Sequence, residues 1–305
     1  MRLCLAVRFT LGAFLALFFA THTTAQPSAD HVWSPLDSAV TQRAARPSGK
    51  AVYQLNHGAL SRLLEAAPAE GAVARGQGVS LYLPGADGKF VRFRVQHSPV
   101  MDPALAARHP GIETFSGQAM DDSSTSVRFS RTVHGFQATI VSPGGITMVS
   151  PVTRGDVDHY AVTRMEDSPS ATFQCLVDAF APGAALSLPG SGAAVALGLA
   201  PAGDNLRTYR LAVAATSEYT AFLGGPAAAL AGIATVVNGI NAIYEVEVSV
   251  RLVLVADNDD IIYNDADNDP FPLSNLNSET QAAIDAEIGD ANYDIGHLFH
   301  LSLIH

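Results

Sequence analysis

Residues 181–203 carry no charge and consist almost wholly of alanine, glycine, proline, serine and leucine. Such a stretch offers no alternating or helical apolar face to bury and no salt-bridge partners. It therefore reads as a flexible linker, taken here as residues 181–206. A linker in that place divides the chain of 305 residues into two folding units. With 48% hydrophobic and 15% charged residues, the whole chain has a globular composition, which excludes a disordered chain, a disulfide-stapled miniprotein and a coiled coil.

The first unit, residues 26–180, is patterned as short strands. Residues 78–83 and 90–95 flank the turn Pro84-Gly85-Ala86-Asp87-Gly88. In the second run Phe90, Arg92 and Arg94 alternate with Val91, Phe93 and Val95, as a hairpin strand requires. Residues 127–130 and 136–141 repeat the arrangement around His134-Gly135, and residues 146–149 follow Pro143-Gly144-Gly145. Short strands punctuated by glycine and proline predict a sandwich or an open barrel.

From Arg207 the pattern changes to α/β. Residues 209–216 form a continuous, mostly apolar run, as expected of a strand buried on both faces. Gly224-Gly225-Pro226 then opens a helix, with proline at its first position. Leu230, Ile233, Val237, Ile240 and Tyr244 follow at spacings of three and four, which predicts one apolar stripe. Residues 246–256 read as the next strand, reached by a right-handed crossover and parallel to the first. Ser278-Glu279-Thr280-Gln281 has the form of a capping box, Ile284 and Ile288 lie one turn apart, and Gly289 suits the helix end. Residues 294–299 predict a further strand.

Residues 1–25 read as a secretory signal peptide. Arg2 and Arg8 supply the basic start, residues 9–20 an apolar run too short to span a bilayer, and Thr23-Thr24-Ala25 a small-residue cleavage site. The expected location is secreted, periplasmic or extracellular. No later segment reads as a membrane span, so no membrane association is expected after cleavage. The chain holds 18 basic and 29 acidic residues, a net charge of −11, and it has no basic run. That balance gives no electrostatic footprint for nucleic acid. Cleavage removes Cys4 and leaves Cys175 alone: a free thiol, an intermolecular partner, or half of an incomplete pair.

The second unit resembles a known family. Arg207-Thr208-Tyr209-Arg210-Leu211-Ala212-Val213-Ala214-Ala215-Thr216 resembles the opening strand of bacterial reprolysin-like zinc metallopeptidases, secreted metzincins related to adamalysins. Glu218-Tyr219-Thr220 and Val237-Asn238-Gly239-Ile240-Asn241-Ala242-Ile243-Tyr244-Glu245 are similar to the first helix of that domain. Asn258-Asp259 with Ile261-Ile262-Tyr263, and Ala291-Asn292-Tyr293-Asp294-Ile295-Gly296-His297-Leu298-Phe299, are similar to its following segments. Gly111-Ile112-Glu113-Thr114-Phe115-Ser116-Gly117, Asp121-Asp122 and Gly135-Phe136 resemble the family's propeptide. The resemblance implies the N-terminal half of a metzincin protease domain, an α/β unit with a mixed, mainly parallel sheet and helices, preceded by a β-rich propeptide domain. It also implies a zymogen cut near Arg207, zinc as cofactor, and protein or peptide substrates.

The zinc site of that family needs His-Glu-x-x-His-x-x-Gly-x-x-His, whose histidines bind the metal and whose glutamate activates its water. The 305 residues contain no such motif, so no catalytic or metal-ligating residue is assigned. The chain is expected to be truncated before the motif, inactive alone, and left with an exposed strand edge. His297, His300 and His305 offer imidazoles, but a spacing of three within a strand sets His297 and His300 on opposite faces. Asp265, Asp267 and Asp269 have the alternate spacing of a calcium loop. The EF-hand pattern fails at Pro270 and Leu276, which leaves a solvated acidic loop or a weak calcium site. The family's zymogens can hold the zinc with a propeptide thiolate, which makes Cys175 the candidate here, although the usual sequence around such a cysteine is not reproduced. The alternative to the zymogen is an exported, non-enzymatic binding or protease-inhibitory module built on residues 26–180, with a protease partner in trans.

Overall fold

The computed structural model describes residues 26–36, 51–72, 77–167, 205–272 and 275–301. The predicted signal peptide, Cys175, His305 and nearly all of the predicted linker lie outside the described residues.

The first unit is one nine-stranded antiparallel sheet. Its strands are β1 (Trp33–Pro35), β2 (Val52–Leu55), β3 (Val79–Pro84), β4 (Phe90–His97), β5 (Glu113–Ala119), β6 (Ser126–Thr132), β7 (Gly135–Ser142), β8 (Gly145–Pro151) and β9 (His159–Arg164). They lie in the order β1-β2-β9-β8-β7-β6-β5-β4-β3. The two edges are drawn together by Asp30, whose carboxylate accepts from Ser28 Oγ at 2.6 Å and from the Tyr82 amide at 2.8 Å. The sheet is therefore nearly closed, and its interior is a single core.

Aromatic rings fill that interior. Trp33 meets Phe136 and Tyr160 edge-on at 5.2 and 5.4 Å, and Phe129 stacks between Phe115 and Phe136. Offset and edge-on pairs of this kind stabilise beyond their area burial by about 1 kcal/mol each. Helix α1 (His57–Leu64) adds Leu60 and Leu64 to the same core. Its N-terminus is capped by Asn56, whose side chain accepts from the Ala59 amide at 3.0 Å. Gly135 begins β7 at φ 89°, and a Cβ there would lie 2.7 Å from the Tyr160 hydroxyl. That hydroxyl donates to Val157 O and accepts from the Phe136 amide, so this glycine permits the contact that fixes the strand start.

The second unit comprises β10 (Arg207–Ala215), α3 (Ser217–Leu223), α4 (Pro226–Glu247), β11 (Val250–Leu254), α5 (Leu276–Glu287) and β12 (Ile295–Phe299). Helix α2 (Pro103–Arg108) belongs to the first unit's chain but packs here. The three strands form a parallel sheet in the order β11-β10-β12. Leu211, Val213 and Ala215 pack on α4, while Ala212 and Ala214 face Ile284 and Ile288 near α5. Burial on both faces explains the continuous apolar run. Twelve strands are described, and nine of them lie in the antiparallel sheet, so the molecule is a mixed α/β structure dominated by that sheet.

Four sequence expectations need correction. Val246 and Glu247 belong to α4 rather than to a strand, and Val248 is 52% exposed. The chain reverses at Ser249, φ 53°, and β11 starts at Val250. The physical reason is Asn241, whose carboxamide donates to Leu252 O and accepts from the Leu252 amide, both at 2.8 Å. That pair fixes helix to strand at one register. Tyr244 lies off the buried stripe at 44% exposure. Helix α5 starts after Asn275, three residues before the predicted cap, and the Glu279 carboxylate accepts from the Asn275 amide at 2.8 Å. Finally, α4 is long and apolar enough to cross a membrane, which the sequence reading missed. Half of its apolar window is buried within the protein.

Candidate functional site

The richest concentration of buried polar chemistry lies where the two units meet. It begins with the backbone after β4. The amide of Leu254 donates to Val100 O, and the amide of Asp102 donates to Leu254 O, both at 2.8 Å. This short parallel pairing covers the edge of β11. Val100, Met101 and Leu105 are buried with Leu211, Val213, Leu252 and Leu254 in the second unit's core. Each fully buried side chain of this size contributes roughly 1.5–3 kcal/mol. The first unit thus supplies part of the second unit's interior.

Beside this seam runs a relay of four charges of alternating sign, the inner two, Glu245 and Arg251, from the second unit and the outer two, Arg128 and Glu70, from the first. Arg128 on β6 is 3% exposed. Its Nη1 donates to both oxygens of Glu245 on α4 at 2.8 and 3.0 Å. Its Nε donates to Asn238 Oδ1 at 2.8 Å, and its Nη2 to Ser98 Oγ at 2.8 Å. Arg251 on β11 donates to Glu245 at 2.5 Å and to both oxygens of Glu70 at 2.8 and 2.9 Å. Ser98 Oγ closes the circuit by donating to Glu70 at 2.5 Å. Burial pulls the Arg128 guanidinium below its ordinary value, with Glu245 opposing that pull. Burial also lowers Arg251, but the hydrogen bonds to Glu70 and Glu245 outweigh it and raise the group. For Glu70 burial acts upward, and the hydrogen bonds from Arg251 and Ser98 still hold it below the usual carboxylate range.

A second ionic contact crosses the junction at Asp259. Arg108 at the end of α2 grips it through Nη2 at 2.6 Å and Nε at 3.1 Å, and His109 Nε2 lies 2.9 Å away. The Arg108 hydrogen bond is the main reason that the Asp259 carboxyl sits at about 2. Further out, His134 Nε2 donates to Ala228 O at 2.7 Å, and Arg154 bonds Phe222 O while lying over the Phe222 ring.

The residues that the sequence singled out lie elsewhere. Asp265 accepts from the Asp267 amide at 3.0 Å and from Asn268 Nδ2 at 2.6 Å. Asp269 instead turns toward α3, accepting from the Ser217 amide at 2.6 Å, and toward the Phe271 amide. His297 lies in β12, but His300 follows the end of the strand, so the alternation argument does not apply to it. Both line the cleft between α5 and β12. Among the described residues no three of His, Cys, Asp or Glu gather to hold a metal.

Sequence reasoning missed the relay. One signal was available: Asn238, Asn241 and Glu245 recur at spacings of three and four in an otherwise apolar helix. That is a polar stripe, in which Asn238 and Glu245 mark the second packed face of α4 toward Arg128 while Asn241 reaches β11.

A search of the curated proteins finds no match to this chain. Residues 205–303, about a third of the chain, match the family model for metallo-peptidase family M12B, reprolysin-like.

Proposed function

We propose that the chain is a secreted, zymogen-type form of a reprolysin-like zinc metalloendopeptidase. In this reading residues 26–180 are a propeptide and residues 207–305 the N-terminal part of the peptidase domain. The observation that carries it is coincidence of boundaries. The matched stretch, 205–303, begins two residues before β10 and takes in the whole parallel-sheet unit. The preceding unit has its own closed core and packs against α4 and β11.

Peptidases of this family are zinc-dependent, and the residues present here do not fit the metal. The 305 residues lack the His-Glu-x-x-His motif, and the two described histidines near β12 lie in no group of three candidate ligands. No catalytic step is therefore assigned to this chain. What its residues supply is scaffold and docking. Arg128 and Glu70 of the β-rich unit pair with Glu245 and Arg251 of the peptidase part. Cys175, the one thiol left once the signal is removed, is this reading's candidate ligand for the zinc of a complete peptidase domain. Cleavage that leaves β10 whole falls upstream of Arg207, because the Arg207 amide is already bonded to Ser249 O at 2.9 Å.

The test is to sequence the encoding locus beyond His305 and translate all three frames. A His-Glu-x-x-His-x-x-Gly-x-x-His motif in any frame supports the reading. Its absence from every frame overturns it in favour of a binding or inhibitory module. The self-contained core of the β-rich unit favours that second reading. It predicts inhibition of an intact reprolysin-like protease by the purified chain, and no inhibition at micromolar concentration excludes it.

A further inference from the structure

We infer that the open end of the nearly closed antiparallel sheet is a binding site for a small apolar organic cation, of the class of a primary alkylammonium. The site lies among the turns β3–β4, β5–β6 and β7–β8, at the end of the sheet away from α1. The inference goes beyond the peptidase reading and does not depend on it.

The two ends of the sheet are built differently. β2 reaches one end at Leu55, where it pairs with Trp33, and α1 follows directly and packs Leu60 and Leu64 into the core. The rings of Trp33, Phe136 and Tyr160 meet one another at that end. The other end carries the three turns and the last residue of β9, Arg164, opposite Thr147 of β8. A cavity of about 440 Å³ opens there. Its lining includes Ala119 and Ile140, which belong to the core, and Val91, which packs against it, so its floor is apolar. The mouth of a closed sheet is a favoured place for a ligand, and the volume lies within the range of small-molecule sites.

The rim selects the charge. Three carboxylates line the cavity, Asp87, Asp121 and Asp122, against one guanidinium, Arg164, which Glu166 already meets at 3.6 Å. The Ser124 hydroxyl, the Thr125 hydroxyl and the Ser124 amide donate to Asp122 and hold its carboxyl below the usual carboxylate range. Its charge therefore stays at the rim at neutral pH. Asp87 faces Lys89 at 3.8 Å in an exposed contact. Asp121 has neither a hydrogen-bond nor an ion-pair partner for its side chain among the described residues. A cation whose tail covers the apolar floor gives Asp121 a partner, whereas an anion meets net repulsion. A hydrated metal ion gains nothing from the floor, and no three candidate metal ligands gather among the described residues. Tail and charge are therefore needed together.

The experiment titrates the full chain with octylammonium by calorimetry at neutral pH, with octanoate and octanol as controls. The expected result is saturable one-to-one binding with a Kd of about 0.1–1 mM, as suits a ligand of this size, and octanoate binding at least about tenfold more weakly. No saturable binding, or octanoate binding as well as octylammonium, overturns the inference. Two variants locate the site. Asp121→Lys changes an exposed, unpartnered side chain and is expected to weaken octylammonium at least about fivefold while leaving octanol unchanged. Thr147→Phe fills the cavity from β8 and is expected to abolish binding of octylammonium and octanol alike. Octylammonium binding unchanged by Asp121→Lys overturns the assignment, as does unchanged binding to a Thr147→Phe chain that melts like the parent.

Discussion

Asn258 takes the place of a strand that has ended. β11 stops at Leu254, opposite Leu211, and leaves Val213 of β10 without a neighbour on that side. The Asn258 carboxamide fills the gap, accepting from the Val213 amide at 2.8 Å and donating to Val213 O at 3.1 Å, with no exposure to solvent. Asn258→Ala strands both backbone groups in the core. The expected cost is roughly 2–4 kcal/mol, read as a lower urea midpoint at unchanged slope. A shift below about 0.5 kcal/mol would show that water replaces the amide. Arg128 presents a related case with charge. Arg128→Met removes the hydrogen bonds to Glu245, Asn238 and Ser98, but Glu245 keeps Arg251. The expected loss is therefore at the lower end for a broken buried pair, about 3 kcal/mol. Arg128→Met combined with Glu245→Gln should lose less than the sum of the single changes, and strict additivity would exclude coupling between the two residues.

At the scale of elements, the loop after β11 is tied to α2 by carboxylate chemistry that acid can undo. Asp259 sits at about 2, against an ordinary value of 3.8, because Arg108 and then His109 bond its charged form. A carboxyl depressed in the folded state contributes stability that is fully present above its unfolded value. That stability is lost as pH falls through the folded value. The window is therefore pH 4 down to 2, and the contribution is about 2 kcal/mol. Glu70 is shifted in the same direction and adds to the slope with the same sign. Asp259→Asn should flatten the stability–pH curve within that window, measured by urea denaturation at fixed pH steps. An unchanged slope would place the acid sensitivity elsewhere. Helix α4 shows the same dependence on context. Its apolar stripe faces the parallel sheet, and the line of Asn238 and Glu245 faces Arg128 of the antiparallel one. A helix between two sheets needs two packed faces, which is why its composition passes for that of a membrane span.

For the whole molecule, the absent zinc ligands give the plainest expectation. The purified chain should show no chelator-sensitive hydrolysis of casein, and cleavage that a chelator abolishes would refute that expectation. Most local structure was legible in the residues. Alternation around Pro84-Gly85-Ala86-Asp87-Gly88 and His134-Gly135 located β3, β4, β6 and β7, because a strand exposes its period of two directly. The mostly apolar run at 209–216 located β10, which is buried from Leu211 to Ala215, and Gly224-Gly225-Pro226 located the start of α4. These features depend on neighbours close in sequence. The end of α4, the start of α5 and the burial of Arg128 do not. They are decided by Asn241 reaching Leu252, by Glu279 reaching back to Asn275, and by a guanidinium that finds its carboxylate 117 residues away. The sequence by itself determined where most strands and the long helix begin, and that these 305 residues hold no His-Glu-x-x-His motif, because periodicity, turn residues and motif are local quantities. Only the tertiary structure decided that the β-rich unit pairs with β11, lends Met101 and Leu105 to its neighbour's core and closes a four-charge relay. Those contacts exist only once two distant surfaces meet, and no local pattern records which surfaces those are.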